Sequence, residues 1–236
     1  MLDISQSQIN LFRQCPYAYA LRYIHKKEAI MWDPSIVEVG SRVHQAIEDY
    51  YKCSIIGKNK EGIFEKVYQI LRNDWDTTLP ASFLKKAYVC LEHFAEFEMN
   101  NINKGREVLP MSEVDIRCNG LRGIIDYLDL SNNKLIDFKT NTRAGIGYAN
   151  KMQAVMYGIL VKEKFNYDIP YFTLQFLYPG ETRIIKYDSK LDKVREQLYD
   201  YVEQIQESWR RQHFPKLPRT KSTCNNCNYR FYCDGV

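Results

Sequence analysis

The sequence predicts an α/β protein in which a mixed central β-sheet is flanked by helices, with a helical N-terminal region before it and a cysteine-bearing C-terminal segment after it. Three observations carry that expectation. Apolar residues recur at helical spacing through about the first 105 residues. From Glu113 the period drops to two and continues through turn-separated strand patterns to Thr140. Helix, strand, strand and helix patterns then follow before the cysteines. One domain is expected over residues 1–236, with a helical part about 1–105, a core about 106–190, and a C-terminal helix and tail about 190–236.

Each element has a local cause. Ser5-Gln-Ser-Gln8 is a capping box, opening a short helix with Ile9 and Phe12 inward. Pro16 suits the first position of a second helix running to about Ile24. Val39, Val43, Ile47 and Tyr50 mark a third helix, Ile63, Val67, Leu71 and Trp75 a fourth, and Leu84, Ala87, Leu91 and Phe94 a fifth. Val114, Ile116 and Cys118 alternate with Glu113, Asp115 and Arg117, which predicts a strand with one polar, solvated face. Gly123–Leu130 reads as the next strand, Ser131-Asn-Asn-Lys134 as a turn, and Leu135–Thr140 as a third strand. A helix is expected near Lys151–Lys164, strands at Tyr171–Tyr178 and Thr182–Tyr187, and a long helix through Leu191, Val194, Leu198, Tyr201 and Ile205.

Composition narrows the class without naming a partner. Hydrophobic residues are 45% and charged residues 26%, enough for a core under an ordinary polar surface. The net charge of +4 is too small to imply a polyanionic partner by itself. The tail from Trp209 to Arg230 concentrates cations, with Arg210, Arg211, Lys216, Arg219, Lys221 and Arg230 and no acidic residue, which suits either a solvated face or contact with a phosphate backbone. No apolar run approaches the roughly 20 residues that span a bilayer, and the N-terminus has no basic-then-apolar signal pattern. A cytoplasmic protein in a reducing compartment, with no membrane partner, is the expectation.

The middle of the chain carries the chemistry. On a strand, Asp137 and Lys139 project from the same face, and the preceding strand brings Asp126 alongside. Converging carboxylates can hold a hard cation such as Mg²⁺ or Mn²⁺, while a neighbouring Lys stabilises charge on a phosphate. The alternative is an ion pair on an exposed strand. Against it stand Leu135, Ile136 and Phe138, which make the strand apolar and its charges costly unless paired or metal-bound.

Gly123-Ile-Ile-Asp126, Leu135-Ile-Asp-Phe-Lys139 and Gln153-Ala-Val-Met-Tyr157 together resemble the RecB-like branch of the PD-(D/E)XK nucleases, and Gly40-Ser-Arg-Val-His44 resembles that branch's G-x-x-x-H helix motif. The resemblance implies a restriction-endonuclease-like core. It implies His44, Asp126, Asp137 and the Phe138 carbonyl as ligands of Mg²⁺ or Mn²⁺, Asp126, Asp137 and Lys139 as catalytic, and Gln153 and Tyr157 as supporting or DNA-contacting residues. Glu113 has a weaker claim, since some relatives add an acidic residue there, and a solvated strand face is the simpler reading. Asp129 faces away from Asp126 and is left out.

Cys224-x2-Cys227-x5-Cys233 closes the chain and Cys15 stands near its start. Close thiols in a reducing compartment more often hold a metal centre than form disulfides, and a structural zinc site would usually show two close pairs. The one-plus-three arrangement, with the pattern from Ser5 to Pro16, resembles the iron–sulfur nucleases, closest to the CRISPR-associated exonuclease family, and implies a [4Fe–4S] cluster on Cys15, Cys224, Cys227 and Cys233. Cys53, Cys90 and Cys118 read as ordinary buried residues. By resemblance the activity is that of a metal-dependent deoxyribonuclease, a 5′-to-3′ exonuclease of single-stranded DNA or of ends with overhangs, which it could also trim endonucleolytically. CRISPR adaptation beside an integrase complex, DNA repair or recombination, and a virus-encoded role are all compatible with it. A catalytically degenerate DNA-binding iron–sulfur module is the rival from another class.

Overall fold

The computed structural model describes residues 2–30, 35–53, 59–106, 108–217 and 221–233. In chain order the elements are β1 (Ile4–Ser5), α1 (Gln6–Gln14), α2 (Pro16–Tyr23), α3 (Ser35–Lys52), α4 (Lys60–Asn73), α5 (Ala81–Asn103), β2 (Met111–Cys118), β3 (Leu121–Asp129), β4 (Lys134–Lys139), α6 (Tyr148–Phe165), β5 (Tyr171–Phe176), β6 (Glu181–Lys186), α7 (Asp192–Arg211) and α8 (Lys221–Asn225). The predicted mixed sheet between helical layers is present. Ser5 caps α1 by accepting from the Gln8 amide, and Pro16 opens α2. The α6 helix begins at Tyr148, earlier than the apolar pattern suggests, because the Asn150 side chain accepts from the Gly147 amide and nucleates an extra turn. Trp75 is buried but lies beyond the end of α4.

The six strands form one sheet. Neighbours β2–β3, β3–β4 and β5–β6 are antiparallel, whereas β4–β5 are parallel and joined through α6. Strand β3 governs the topology. One of its edges pairs with β2 from Leu121 to Leu128. The other is divided: Leu121 and Arg122 pair with β1, and Tyr127–Asp129 pair with β4. Residues 123–126 have no ladder partner on that edge among the described residues.

Two hydrophobic layers hold the sheet. Helices α3, α4 and α5 pack on one face around Tyr127, Ile136, Phe138 and Leu177. Helices α1, α6 and α7 pack on the other around Ile125, Leu128, Leu135, Phe172 and Leu174. Eight residues of α6 between Met152 and Val161 are buried, which requires close approach to its neighbours. Gly158 meets Tyr187, whose hydroxyl donates to the Ala154 carbonyl at 2.7 Å. Of the three cysteines expected inside, Cys90 is fully buried, and Cys53 and Cys118 are half-buried.

A Cβ at Gly158 would lie 2.8 Å from the Tyr187 ring. Helix propensity alone would make Gly158→Ala stabilising by about 1 kcal/mol. Overpacking typically costs about 1–3 kcal/mol, and this ring is anchored by its own hydrogen bond, so overpacking should win. We expect a lowered melting temperature for Gly158→Ala, measured by circular dichroism; a raised one would mean that Tyr187 yields freely.

Candidate functional site: an acidic row at the parting of two strands

The site is built where β3 and β4 separate. In the β2–β3 ladder, Ser112 pairs with Tyr127 and Val114 with Ile125, so Glu113 stands opposite Asp126. Continuing the β3–β4 register past Tyr127 and Ile136 sets Asp126 against Asp137. Three carboxylates therefore occupy one row across three strands. The backbone left over by the parting finds side-chain partners. The Phe138 amide donates to Asp126 Oδ2 at 2.7 Å, and the Ile124 carbonyl accepts from the Tyr157 hydroxyl at 2.5 Å.

Glu113 corrects the simpler reading of its strand. Asp115 and Arg117 are exposed, as alternation requires, and Asp115 accepts from Arg117 and Arg122. Glu113, however, has φ of 48° and is half-buried beside His44 and Asp126. A left-handed non-glycine residue costs on the order of 1–3 kcal/mol, and such positions concentrate at functional sites.

His44 arrives from α3. Val39, Val43, Ile47 and Tyr50 are all buried, and His44 stands next to that stripe. Its Nδ1 lies 3.4 Å from Asp126 Oδ2, and the Phe138 backbone lies beside its ring. Potential ligand atoms of His44, Glu113 and Asp126 all fall within 4.8 Å of one another. Gly40, one turn earlier, helps the helix reach the end of β4, since a Cβ there would sit 3.3 Å from Thr140 Oγ1.

Asp137 is nearly enclosed and differently engaged. Gln153 Nε2 donates to its Oδ1 at 2.6 Å, and Lys139 Nζ lies 2.6 Å from its Oδ2. Lys139 also donates to Gln153 Oε1 at 3.2 Å, and Gln153 Nε2 lies 3.2 Å from the Tyr157 hydroxyl. Gln153 and Tyr157 share a face of α6 one turn apart and bridge the helix to β3 and β4. Gly123 makes room for Tyr157, because a Cβ there would meet Tyr157 and Leu160 at 2.8 Å.

The electrostatics call for a cation. Burial, then the charges of Asp137 and Glu113, push the Asp126 carboxyl well above the usual carboxylate range. Burial, then Glu48 and Asp137, also raise Glu113. Burial lowers the His44 imidazole, against the opposing pull of Asp137, which favours the neutral form that ligates metals. Carboxylates that resist ionisation beside a neutral imidazole lack positive charge, and Lys139 pairs directly with Asp137 and offsets Asp126 only in small part. The donor set of carboxylate and backbone oxygens plus one imidazole suits a hard divalent cation such as Mg²⁺ or Mn²⁺.

Seven expected residues converge here: His44, Asp126, Asp137, Phe138, Lys139, Gln153 and Tyr157. Alternation assumes a regular strand and so assigns Glu113 to solvent, whereas the hairpin register sets it opposite Asp126. Asp129 does face elsewhere, accepting from Ser131 and Asn132 to shape the β3–β4 turn.

The four cysteines expected to act together gather at a second place. Cys15 sits at the junction of α1 and α2, and Cys224 lies in α8. Cys15 and Cys227 pack against Ala18, Leu21 and Tyr229. Burial pushes the Cys227 thiol up, and Cys15, Cys224 and Cys233 all act on it electrostatically in the same direction, so the four sulfurs share one neighbourhood. All are free thiols. The basic tail is largely engaged within the fold. Arg210 and Arg211 pair with Glu207, Lys216 lies over Tyr17 and Arg230 over Phe231. Arg219 and the Lys221 side chain lie outside the described residues.

The family model of the PD-(D/E)XK nuclease superfamily matches residues 3–234. The chain belongs to that superfamily, and with it to the metal-dependent nucleases, hydrolases that act on DNA. A search of curated proteins found no match. Among the described residues, no helix is long and apolar enough to cross a membrane.

The raised carboxyls set a sign for stability. A carboxyl whose folded pKa exceeds its unfolded one stabilises the fold below the unfolded pKa, and that contribution is lost as pH rises through the folded pKa. At neutral pH the metal-free protein should therefore carry a penalty at Asp126. Asp126→Asn keeps an oxygen for the Phe138 amide and removes the charge. We expect it to melt higher than wild type in EDTA at pH 7.5 and to lose the rise in melting temperature that Mn²⁺ gives wild type. Equal melting in EDTA and equal Mn²⁺ shifts would contradict the site's electrostatics.

Proposed function

We propose that this member of the PD-(D/E)XK nuclease superfamily hydrolyses DNA phosphodiester bonds at the acidic row, acting as a 5′-to-3′ exonuclease of single-stranded DNA and trimming overhangs. The observation that carries the hydrolytic reading is the cluster of His44, Glu113 and Asp126, with Asp137 and its partner Lys139 close enough to act on Asp126. Polarity, preference for single strands and kinship with the CRISPR-associated iron–sulfur exonucleases rest on the resemblance of the motifs.

A Mg²⁺ or Mn²⁺ held by His44, Glu113, Asp126, Asp137 and the Phe138 carbonyl would neutralise and polarise the scissile phosphate. The protein's own groups supply the rest. Lys139 presents a cation at the edge of the row, where it can stabilise negative charge developing on the phosphate oxygens. Gln153 grips Lys139 and Asp137 at once, so the ammonium is oriented before substrate arrives. Tyr157 braces Gln153 and ties α6 to the Ile124 carbonyl. In the reaction, the attacking water forms a P–O bond and gives up a proton while the bond to the leaving oxygen breaks and that oxygen takes one up.

A structural [4Fe–4S] cluster on Cys15, Cys224, Cys227 and Cys233 completes the reading, supported by the shared neighbourhood of the four thiols and the motif resemblance. Its role would be to fasten the C-terminal segment to the α1–α2 junction, a closure of long sequence separation that stabilises through chain entropy.

Two experiments test these parts separately. Lys139→Ala and Asp137→Ala should each cut cleavage of labelled single-stranded DNA by roughly 10²–10³-fold or more while leaving binding largely intact. EDTA should stop the wild-type reaction and Mn²⁺ restore it. Near-wild-type rates in both variants would remove the assignment. Protein purified without oxygen should be brown and contain iron, and Cys224→Ala should melt lower. Zinc without iron in that preparation would overturn the cluster and leave the nuclease standing.

A further inference from the structure

A cleft of about 550 Å³ opens beside Lys139, between the β4–α6 loop and the start of α1. Its lining is unlike the acidic row that it adjoins. Lys139 and Arg143 are its charged residues, and no carboxylate lines it. Asn141, Asn150 and Gln6 add polar groups, and the first turn of α6 faces it without an acidic residue. Arg143 is exposed, and neither it nor Asn141 has a hydrogen-bond or ion-pair partner among the described residues. Two cations nearby are engaged, Lys139 with Asp137 and Arg13 over the Tyr148 ring. Ile146, on the same loop, presents an apolar side chain that is 39% exposed.

We infer that this cleft seats one nucleotide of an unpaired DNA strand next to the bond being cut, with Arg143 on its phosphate and Ile146 against its base. The inference rests on the nuclease reading above and adds to it the place and the form of the substrate. Three properties point the same way. An arginine with no internal partner is available for bidentate contact with a phosphate. The volume lies within the roughly 300–1,000 Å³ of small-molecule pockets, enough for a nucleotide and too small for a duplex to enter. Lys139 lies on the border between cleft and row, so a strand with one nucleotide in the cleft brings its next phosphodiester to the carboxylates. Gln6 closes one side by donating from α1 to the Ala149 carbonyl at 3.2 Å. A base-paired nucleotide would have to shed its partner to enter, which gives single-strand preference a physical cause.

The test uses the full chain, purified without oxygen, with a 5′-fluorescein dT10 oligonucleotide followed by anisotropy in Ca²⁺, and with dTMP as a competitor in the Mn²⁺ cleavage assay. Arg143→Ala should weaken dT10 binding about tenfold, the size of one charge-assisted contact, with Arg143→Lys in between. The slope of log affinity against log salt should fall by about the share of one phosphate. The dTMP concentration that halves cleavage should rise similarly in Arg143→Ala. Since Arg143 is exposed and unpaired, its melting temperature should stay at the wild-type value, which separates a lost contact from a lost fold. Unchanged dT10 affinity and unchanged dTMP inhibition in Arg143→Ala would overturn the inference, as would a fall in kcat with KM unaltered. Wild-type protein that binds dT10 through Arg143 but cuts no DNA would instead overturn the nuclease reading and leave the cleft assigned.

Discussion

The parting of β3 and β4 is the constraint on which the rest of the site depends. A strand edge without a partner leaves backbone donors and acceptors that must be satisfied where water is scarce. Here the Asp126 carboxylate takes the Phe138 amide, and Tyr157 reaches over from α6 to the Ile124 carbonyl. The same opening lets Asp126 approach the end of β4 from the neighbouring strand. The gap in the ladder and the site are thus one feature: the residues that repair the backbone also line up the chemistry.

Closing that gap determines how the helices pack. Tyr157 can reach Ile124 only because Gly123 offers no Cβ in its path, and α6 can lie that deep only because Gly158 yields to Tyr187. From the opposite layer, Gly40 lets α3 close on Thr140 and carry His44 to the edge of Asp126. Small residues at these approaches explain why two helices from opposite faces of the sheet meet at one point. Once there, the side chains lock one another, with Gln153 held by Asp137, Lys139 and Tyr157. Pre-orientation of this kind removes a reorganisation cost from the reaction itself.

Charge is divided between two neighbouring surfaces. The acidic row presses Asp126 and Glu113 toward protonation and leaves a cation to be supplied from outside. Immediately beyond Lys139 the lining turns basic, with Arg143 unpaired among the described residues. A site that must attract both a metal and a polyanion separates the two signs by one lysine. At a second place Cys15 at the α1–α2 junction and Cys227 of the C-terminal segment pack around Ala18, Leu21 and Tyr229.

Much of this was legible in residue order, and the limits are specific. Helical periodicity located α3, α4 and α5, because helix–sheet packing demands an apolar stripe, and Ser5 and Pro16 marked helix starts because capping is local. His44, Asp126, Asp137, Phe138, Lys139, Gln153 and Tyr157 were recognisable through their resemblance to a family motif, and periodicity by itself placed only the Asp137–Lys139 and Gln153–Tyr157 pairs on common faces. Glu113 was not, because a positive φ within a strand turns a side chain off the face that alternation assigns, and only the paired strand shows what it turns toward. Nor was Arg143, because loop residues follow no period and the absence of a partner is a property of surroundings. By itself the sequence determined which elements form and which residue types could do the chemistry, since these follow from local periods and spacings. Only the tertiary structure decided where β3 leaves β4, and so which carboxylates come together and that Arg143 has no partner among the described residues, because ladder pairing and burial are settled between segments distant in the chain.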